Sequence, residues 1–120
     1  MAFKFESLKV WQSSLQLGEK INVLADSFPG KELYNLSSQI RRAADSIGLN
    51  IAEGSTGHTN AEQKRFLLFA NRSTLEVVAC LIKAKLRNYI NDVTFEGLYK
   101  DCELLSKMLN AFIHSLSKVE

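Results

Sequence analysis

Near the C-terminal end, Phe95, Leu98, Cys102, Leu105, Leu109, Phe112 and Leu116 recur at spacings of 3, 4, 3, 4, 3 and 4 residues. That alternation holds one narrow apolar stripe on one side of an α-helix, the seam along which helices pack at shallow angles. A helix patterned this way needs partner helices, so the stripe alone points to a bundle. Glu96–Lys100 and Glu103–Lys107 are i,i+4 pairs in the favourable order, each worth about 0.2–0.5 kcal/mol. Asn91 or Thr94 is placed to cap the helix at its start.

Three further helices precede it. Thr59-Asn60-Ala61-Glu62 has the form of a capping box, in which the Thr hydroxyl accepts from a free backbone N–H and the Glu reaches back to the cap residue. From there a pattern without Pro or Gly runs to Tyr89, about 30 residues or roughly 45 Å of helix. It carries two apolar faces. Phe66, Phe69, Ala70, Ser73, Val77, Cys80 and Ala84 make one; Leu68, Leu75, Ile82 and Tyr89, with Val78 and Leu86 between them, make the other. Residues 66 and 68 lie about 200° apart around a helix, so the two faces need two partner surfaces. The second helix is expected over Leu33–Ala52, with Leu36, Ile40, Ala43 or Ala44, Ile47 and Ile51 on its stripe and Gly54 at its end. Gly48 inside it costs roughly 1 kcal/mol relative to Ala and is read as a close helix contact. The first helix is expected from Phe5 to Ser27, with Leu8, Trp11, Leu15, Ile21, Leu24 and Phe28 on its stripe. Pro29 stops it by disfavouring the α conformation at Phe28. The connections are short, so sequential helices are antiparallel neighbours: an all-α, up-down-up-down four-helix bundle spanning residues 1–120 as one domain.

Composition agrees with this and narrows the function classes. Hydrophobic residues make up 46% of 120, with a single Pro and six Gly, which suits one packed core and leaves little for loops or disorder. No apolar run approaches the roughly 18–20 residues that span a bilayer, and the first residues lack the charged-then-apolar pattern of a signal peptide. A cytoplasmic protein without a membrane partner is expected. Cys80 and Cys102 are too few for a disulfide framework and are not in CxxC spacing.

Chemistry-bearing patterns are scarce. The histidines, His58 and His114, have no ligands near them at a zinc spacing. The Glu-x-x-His pairs of di-iron bundles are absent, and so are the Gly-rich phosphate-binding motifs. Neither cysteine and no serine has the context of an activated nucleophile. No catalytic residue, metal, cofactor or small-molecule substrate is therefore expected. Asn50 and Glu53 read as hydrogen-bonding groups at a helix end.

Charge is more informative. The net charge is only +2, but between Thr59 and Ile90 six basic residues (Lys64, Arg65, Arg72, Lys83, Lys85 and Arg87) face two acidic ones, Glu62 and Glu76, a local +4. Such a segment supports a basic surface able to attract a polyanion. Arg65, Arg72 and Arg87 fall largely off the two apolar faces. Arg41-Arg42, in the middle of the second helix, fits either a carboxylate pair with Glu53 or Glu76 or a phosphate contact.

Gln39-Ile40-Arg41-Arg42-Ala43-Ala44-Asp45-Ser46-Ile47 followed by Asn50-Ile51-Ala52-Glu53-Gly54 resembles the four-helix bundle proteins encoded by intervening sequences in bacterial 23S ribosomal RNA genes, also labelled the S23 ribosomal protein family. Phe5-Glu6-Ser7-Leu8-Lys9-Val10-Trp11-Gln12, Phe66-Leu67 and Asn88-Tyr89-Ile90 extend the likeness over nearly the whole chain. Where a proline is common in that family, this chain has Gly48-Leu49, which implies a straighter second helix. The resemblance implies a homopentamer and a link to nucleic acid, since accessory proteins of diversity-generating retroelements look similar, bind nucleic acid and partner a reverse transcriptase. The expected nucleic-acid surface comprises Arg41, Arg42, Lys64, Arg65, Arg72, Lys83, Lys85 and Arg87, touching RNA or DNA without reading its sequence. The expected subunit interface comprises Leu68, Leu75, Val78 and Ile82 against a neighbour's first helix near Trp11. The alternative is a structural or adaptor oligomer that binds a protein partner.

Overall fold

The computed structural model describes residues 2–57 and 59–119, with side chains to residue 117; His58 lies outside the described residues. Four helices follow one another, α1 (Lys9–Asp26), α2 (Leu36–Gly54), α3 (Asn60–Leu86) and α4 (Asp92–Val119), and no strand occurs among the described residues. Each helix packs on its neighbours in the order α1–α2–α3–α4–α1, while the diagonal pairs α1/α3 and α2/α4 do not meet. The result is an antiparallel four-helix bundle 46 Å long and about 23 Å across. The α2–α3 and α3–α4 pairs are the most extensive, and α1–α4 the sparsest.

The helix starts follow from cap chemistry. Thr59 Oγ1 accepts from the Glu62 backbone N–H at 3.0 Å, and Asn91 Oδ1 accepts from that of Thr94 at 2.7 Å. These are N-cap bonds, each satisfying one of the free donors of a first turn. α3 stops at Leu86 rather than Tyr89 because Asn88 takes a left-handed conformation, φ 61°. The Tyr89 N–H then reaches back to the Ala84 carbonyl at 2.9 Å and that of Asn88 to Lys85 at 3.0 Å. This is a Schellman closure, with Asn in the position usually given to Gly.

The core is built from the stripes. In α2, Leu36, Ile40, Ala43, Ala44, Ile47 and Ile51 are buried; in α4, Leu98, Cys102, Leu105 and Leu109 are buried, with Phe95, Phe112 and Leu116 packed at the ends. α2 runs unbroken through Gly48-Leu49. Its Gly48 lies so near α1 that a Cβ there would sit 3.0 Å from Ser14 Oγ and 3.7 Å from Trp11 Nε1, the close helix contact expected. Gly54 has no positive φ; it serves close approach instead, since a Cβ would fall 2.7 Å from Phe66 Cβ on α3.

α1 departs from the expected pattern. Its buried side is Val10, Ser14, Leu17, Ile21 and Ala25, whereas Leu15 is 52% exposed and Leu8, Trp11 and Leu24 are only partly covered. Ser14 is tolerated in the core because its hydroxyl donates to the Trp11 carbonyl at 2.6 Å. The helix also begins later than Phe5. Lys4–Ser7 form a 3-10 turn that brings Phe5 edge-on to Trp11, with ring centroids 4.9 Å apart. The connection after α1 likewise holds a 3-10 turn, Gly30–Glu32, which delays α2 to Leu36.

Candidate nucleic-acid interface

At 100° per residue, Arg65, Arg72 and Lys83 fall within about 20° of one another around α3, and their span of 18 residues is roughly 27 Å. All three are exposed. They form a straight basic strip along the outside of α3. Leu68, Leu75 and Ile82 form a second, parallel line within about 40° of arc, displaced from the first by about 70°. They are 47%, 57% and 44% exposed, and Val78 beside them is half-buried. The buried side of α3 is instead Leu67, Ala70, Thr74, Val77, Cys80, Leu81 and Ala84. The second apolar face is therefore the one that the bundle leaves uncovered. The first face is partly redrawn, since Phe69 is 37% exposed and Thr74 and Leu81 take places in the core. Thr74 does so by donating to the Ala70 carbonyl at 3.0 Å.

The guanidinium groups of the strip are held by aromatic rings. Arg65 lies 5.4 Å from the Phe66 ring centre and Arg72 5.8 Å from that of Phe69, and the two rings meet edge-to-face at 5.9 Å. Among the described residues, no carboxylate forms an ion pair with Arg65, Arg72 or Lys83. Glu76 is the one exposed acid on this side of α3.

The remaining basic residues are scattered. Arg41 points to α1, where its guanidinium pairs with Asp26 and donates to Asn22 Oδ1 at 3.0 Å, so its carboxylate is neither Glu53 nor Glu76. Arg42 is exposed on α2, and Lys64 is half-buried. Lys85 sits 3.7 Å from Asp92 and 4.5 Å from the centre of the Phe95 ring, at the α3–α4 turn. Arg87 donates to Glu32 Oε2 at 3.1 Å, so it is tied into the bundle end rather than lying free of the packing.

Glu32 is the functional-looking residue that sequence reasoning missed. It is buried, and it also accepts from Tyr89 OH at 2.6 Å, Asn35 Nδ2 at 3.0 Å and the Leu36 N–H at 3.4 Å. The Tyr89 hydroxyl is the main cause of a carboxyl pKa held below its ordinary value, against the opposing effect of burial. The bonds to Glu32 are all internal, so the cluster joins helix ends. Nothing in the spacing of a lone Glu after Pro-Gly-Lys signals it.

Trp11 lies half-buried at the α1–α2 junction. With Leu15, Ala44, Gly48 and Leu49 it lines an open apolar groove of about 340 Å³. A larger groove of about 680 Å³ follows the sparse α1–α4 contact, lined chiefly by Val23, Leu24, Val93 and Leu98, with the Lys20–Asp101 pair at 2.9 Å on its edge. Neither brings a nucleophile and a base together. Both thiols are buried and free; burial pushes Cys102 up to about 12 and raises Cys80 as well, which keeps both in the unreactive thiol form. Among the described residues no three His, Cys, Asp or Glu side chains gather as a metal site, and no helix is long and apolar enough to cross a membrane. Asn50 donates to the carbonyl and hydroxyl of Ser46, at 2.9 and 3.0 Å, one turn back within α2 rather than at the helix end, and Glu53 is exposed.

Similar proteins bear on this bundle. A crystal structure of a protein of unknown function from the S23 ribosomal protein family of Bacteroides thetaiotaomicron superposes with a TM-score of 0.81 at 26% identity, covering 87% of this chain and 97% of that one. Among curated proteins nothing matches the chain. The sequence profile of the 23S rRNA-intervening sequence proteins matches residues 6–111, nearly the whole bundle, so the chain belongs to that family.

Proposed function

We propose that the protein is a non-enzymatic homo-oligomer of the bacterial cytoplasm that binds RNA or DNA through the α3 strip, without reading sequence. The observation that carries this is the alignment of Arg65, Arg72 and Lys83 on one exposed line with no carboxylate pairing among the described residues. Three cations along one line, with the single acid Glu76 between Arg72 and Lys83, leave a net positive strip that attracts a polyanion and releases the counterions condensed on its phosphates. Arg41, Lys85 and Arg87 have internal partners and contribute mainly to the field. The parallel apolar line Leu68, Leu75, Ile82 with Val78 is the surface for another subunit, since exposed apolar patches of this kind mark interfaces. α1 and α3 stand at opposite corners of the bundle, so a contact from this line to a neighbour's Trp11 groove would be head-to-tail, the arrangement that builds rings. Five subunits is the count proposed for that ring, by analogy with the family resemblance.

The test is binding of labelled RNA and DNA to wild type and to the Arg65→Glu, Arg72→Glu, Lys83→Glu triple variant at low salt. Wild type is expected to bind both and the folded variant neither. Undiminished binding by the variant would refute the α3 strip as the binding surface, and no binding by wild type would move the reading to an adaptor oligomer that captures a protein partner.

A further inference from the structure

The Arg65–Phe66–Phe69–Arg72 cluster carries more than charge. Its four side chains form a continuous chain of contacts at 5.4, 5.9 and 5.8 Å, with a guanidinium at each end and two edge-to-face rings between. Phe66 is anchored from below, because Gly54 of α2 approaches it closely enough that a Cβ would sit 2.7 Å from Phe66 Cβ. Phe69 remains 37% exposed, and both arginines are exposed. At 5.4 and 5.8 Å from the ring centres each guanidinium is drawn toward its ring, and both arginines stay exposed. Open guanidinium planes and aromatic ring faces are the surfaces on which unpaired bases stack.

A duplex and a single strand would use this surface differently. The outside of a duplex offers phosphates and sugars, so it would engage the charges of Arg65 and Arg72 and leave Phe69 in water. An unpaired strand offers phosphates and apolar base faces together, so it would cover both. The interleaving of planar cations with an exposed ring fits the second ligand. Glu76, one turn beyond Arg72, opposes phosphate at that end and biases the strand toward the Arg65 side. The apolar line Leu68, Leu75, Ile82 lies on the other flank of α3 and stays available to a neighbouring subunit.

We propose that the Arg65–Phe66–Phe69–Arg72 cluster is a stacking platform that selects single-stranded over double-stranded polynucleotide. This rests on the α3 strip being the nucleic-acid surface. The probes are oligouridylate and oligothymidylate, each alone and annealed to its complement, measured by fluorescence anisotropy at one low salt concentration. Single strands of either sugar are expected to bind about tenfold more tightly than their duplexes, the scale of one or two stacked bases. Phe69→Ala, and separately the charge-conserving Arg65→Lys, Arg72→Lys pair, are each expected to abolish that preference, lowering single-strand affinity about tenfold, to the level of the duplex. Both variants alter exposed positions, and their helicity is checked by circular dichroism. Equal affinity for strand and duplex in wild type, or a preference that survives both variants, overturns the stacking platform and leaves the electrostatic reading standing. No binding of any probe overturns the nucleic-acid reading itself.

Discussion

Tyr89 donates its hydroxyl to Glu32 Oε2 at 2.6 Å, joining two residues 57 positions apart. The bond ties the α1–α2 connection to the α3–α4 turn, and Arg87, two residues before Tyr89, reaches the same oxygen at 3.1 Å. The Tyr89 ring packs beside Phe28, with centroids 5.5 Å apart. One carboxylate thus fastens one end of the bundle.

Glu32→Gln should lower the melting temperature, because it removes the negative charge that Arg87 and Tyr89 face. In wild type the folded-state pKa of Glu32 lies below its ordinary 4.5. The stability it contributes is therefore fully present above that value and is lost as pH falls through the lower folded value. Tyr89→Phe removes the largest cause of the lowering, so acid unfolding of that variant should begin at a higher pH than in wild type. Acid titrations followed by circular dichroism check both. Superimposable acid curves for wild type and Tyr89→Phe would show that the bond contributes nothing.

Leu105 is 2% exposed and lies in the α4 seam. Leu105→Asp should be destabilising by more than about 4 kcal/mol, since it buries an unpaired carboxylate. Phe112, at the half-buried end of the same stripe, should tolerate Asp better. Thermal melts of the two variants rank them, and equal losses would contradict the difference in burial.

Two glycines should respond in opposite directions to alanine. At Gly54 the new Cβ would meet Phe66 Cβ at 2.7 Å, an overpacking that costs about 1–3 kcal/mol. At Gly97, inside α4, nothing lies within 4 Å of the new atom, and the gain in helix propensity is up to about 1 kcal/mol. Denaturant melts of both variants read the signs directly.

The sequence made the bundle legible because stripes in α2 and α4 are regular and their core positions are large and aliphatic. It misread α1, where Ser14 and Ala25 stand at buried positions and Leu15 at an exposed one; a hydroxyl bonded to its own helix can be buried, and hydrophobicity alone does not register that. The two faces of α3 were legible as periodicity, and which one the bundle uses was decided by Leu67, Thr74 and Leu81, none of them on either pattern. Charge counting found the basic segment but not its division. Arg87 and Arg41 meet carboxylates 55 and 15 residues away, and pairings at such separations have no local signature.

Self-association should depend on the uncovered line of α3. Leu75→Glu with Ile82→Glu alters two residues that are 57% and 44% exposed, so the bundle should keep its helicity and melt. Light scattering should then give a monomer of 13.5 kDa, against a larger assembly for wild type. A monomeric wild type would refute the interface, and an assembly of a size other than five would refute only the count.

The salt dependence of nucleic-acid binding tests the central claim most directly. Each phosphate engaged releases counterions and contributes roughly −0.7 to −0.9 to the slope of log affinity against log salt. With Arg65, Arg72 and Lys83 all engaged, the slope for wild type should be about −2 or steeper, and affinity should vanish by a few hundred millimolar salt. Affinity that stays level across the same salt range would contradict an electrostatic strip on α3.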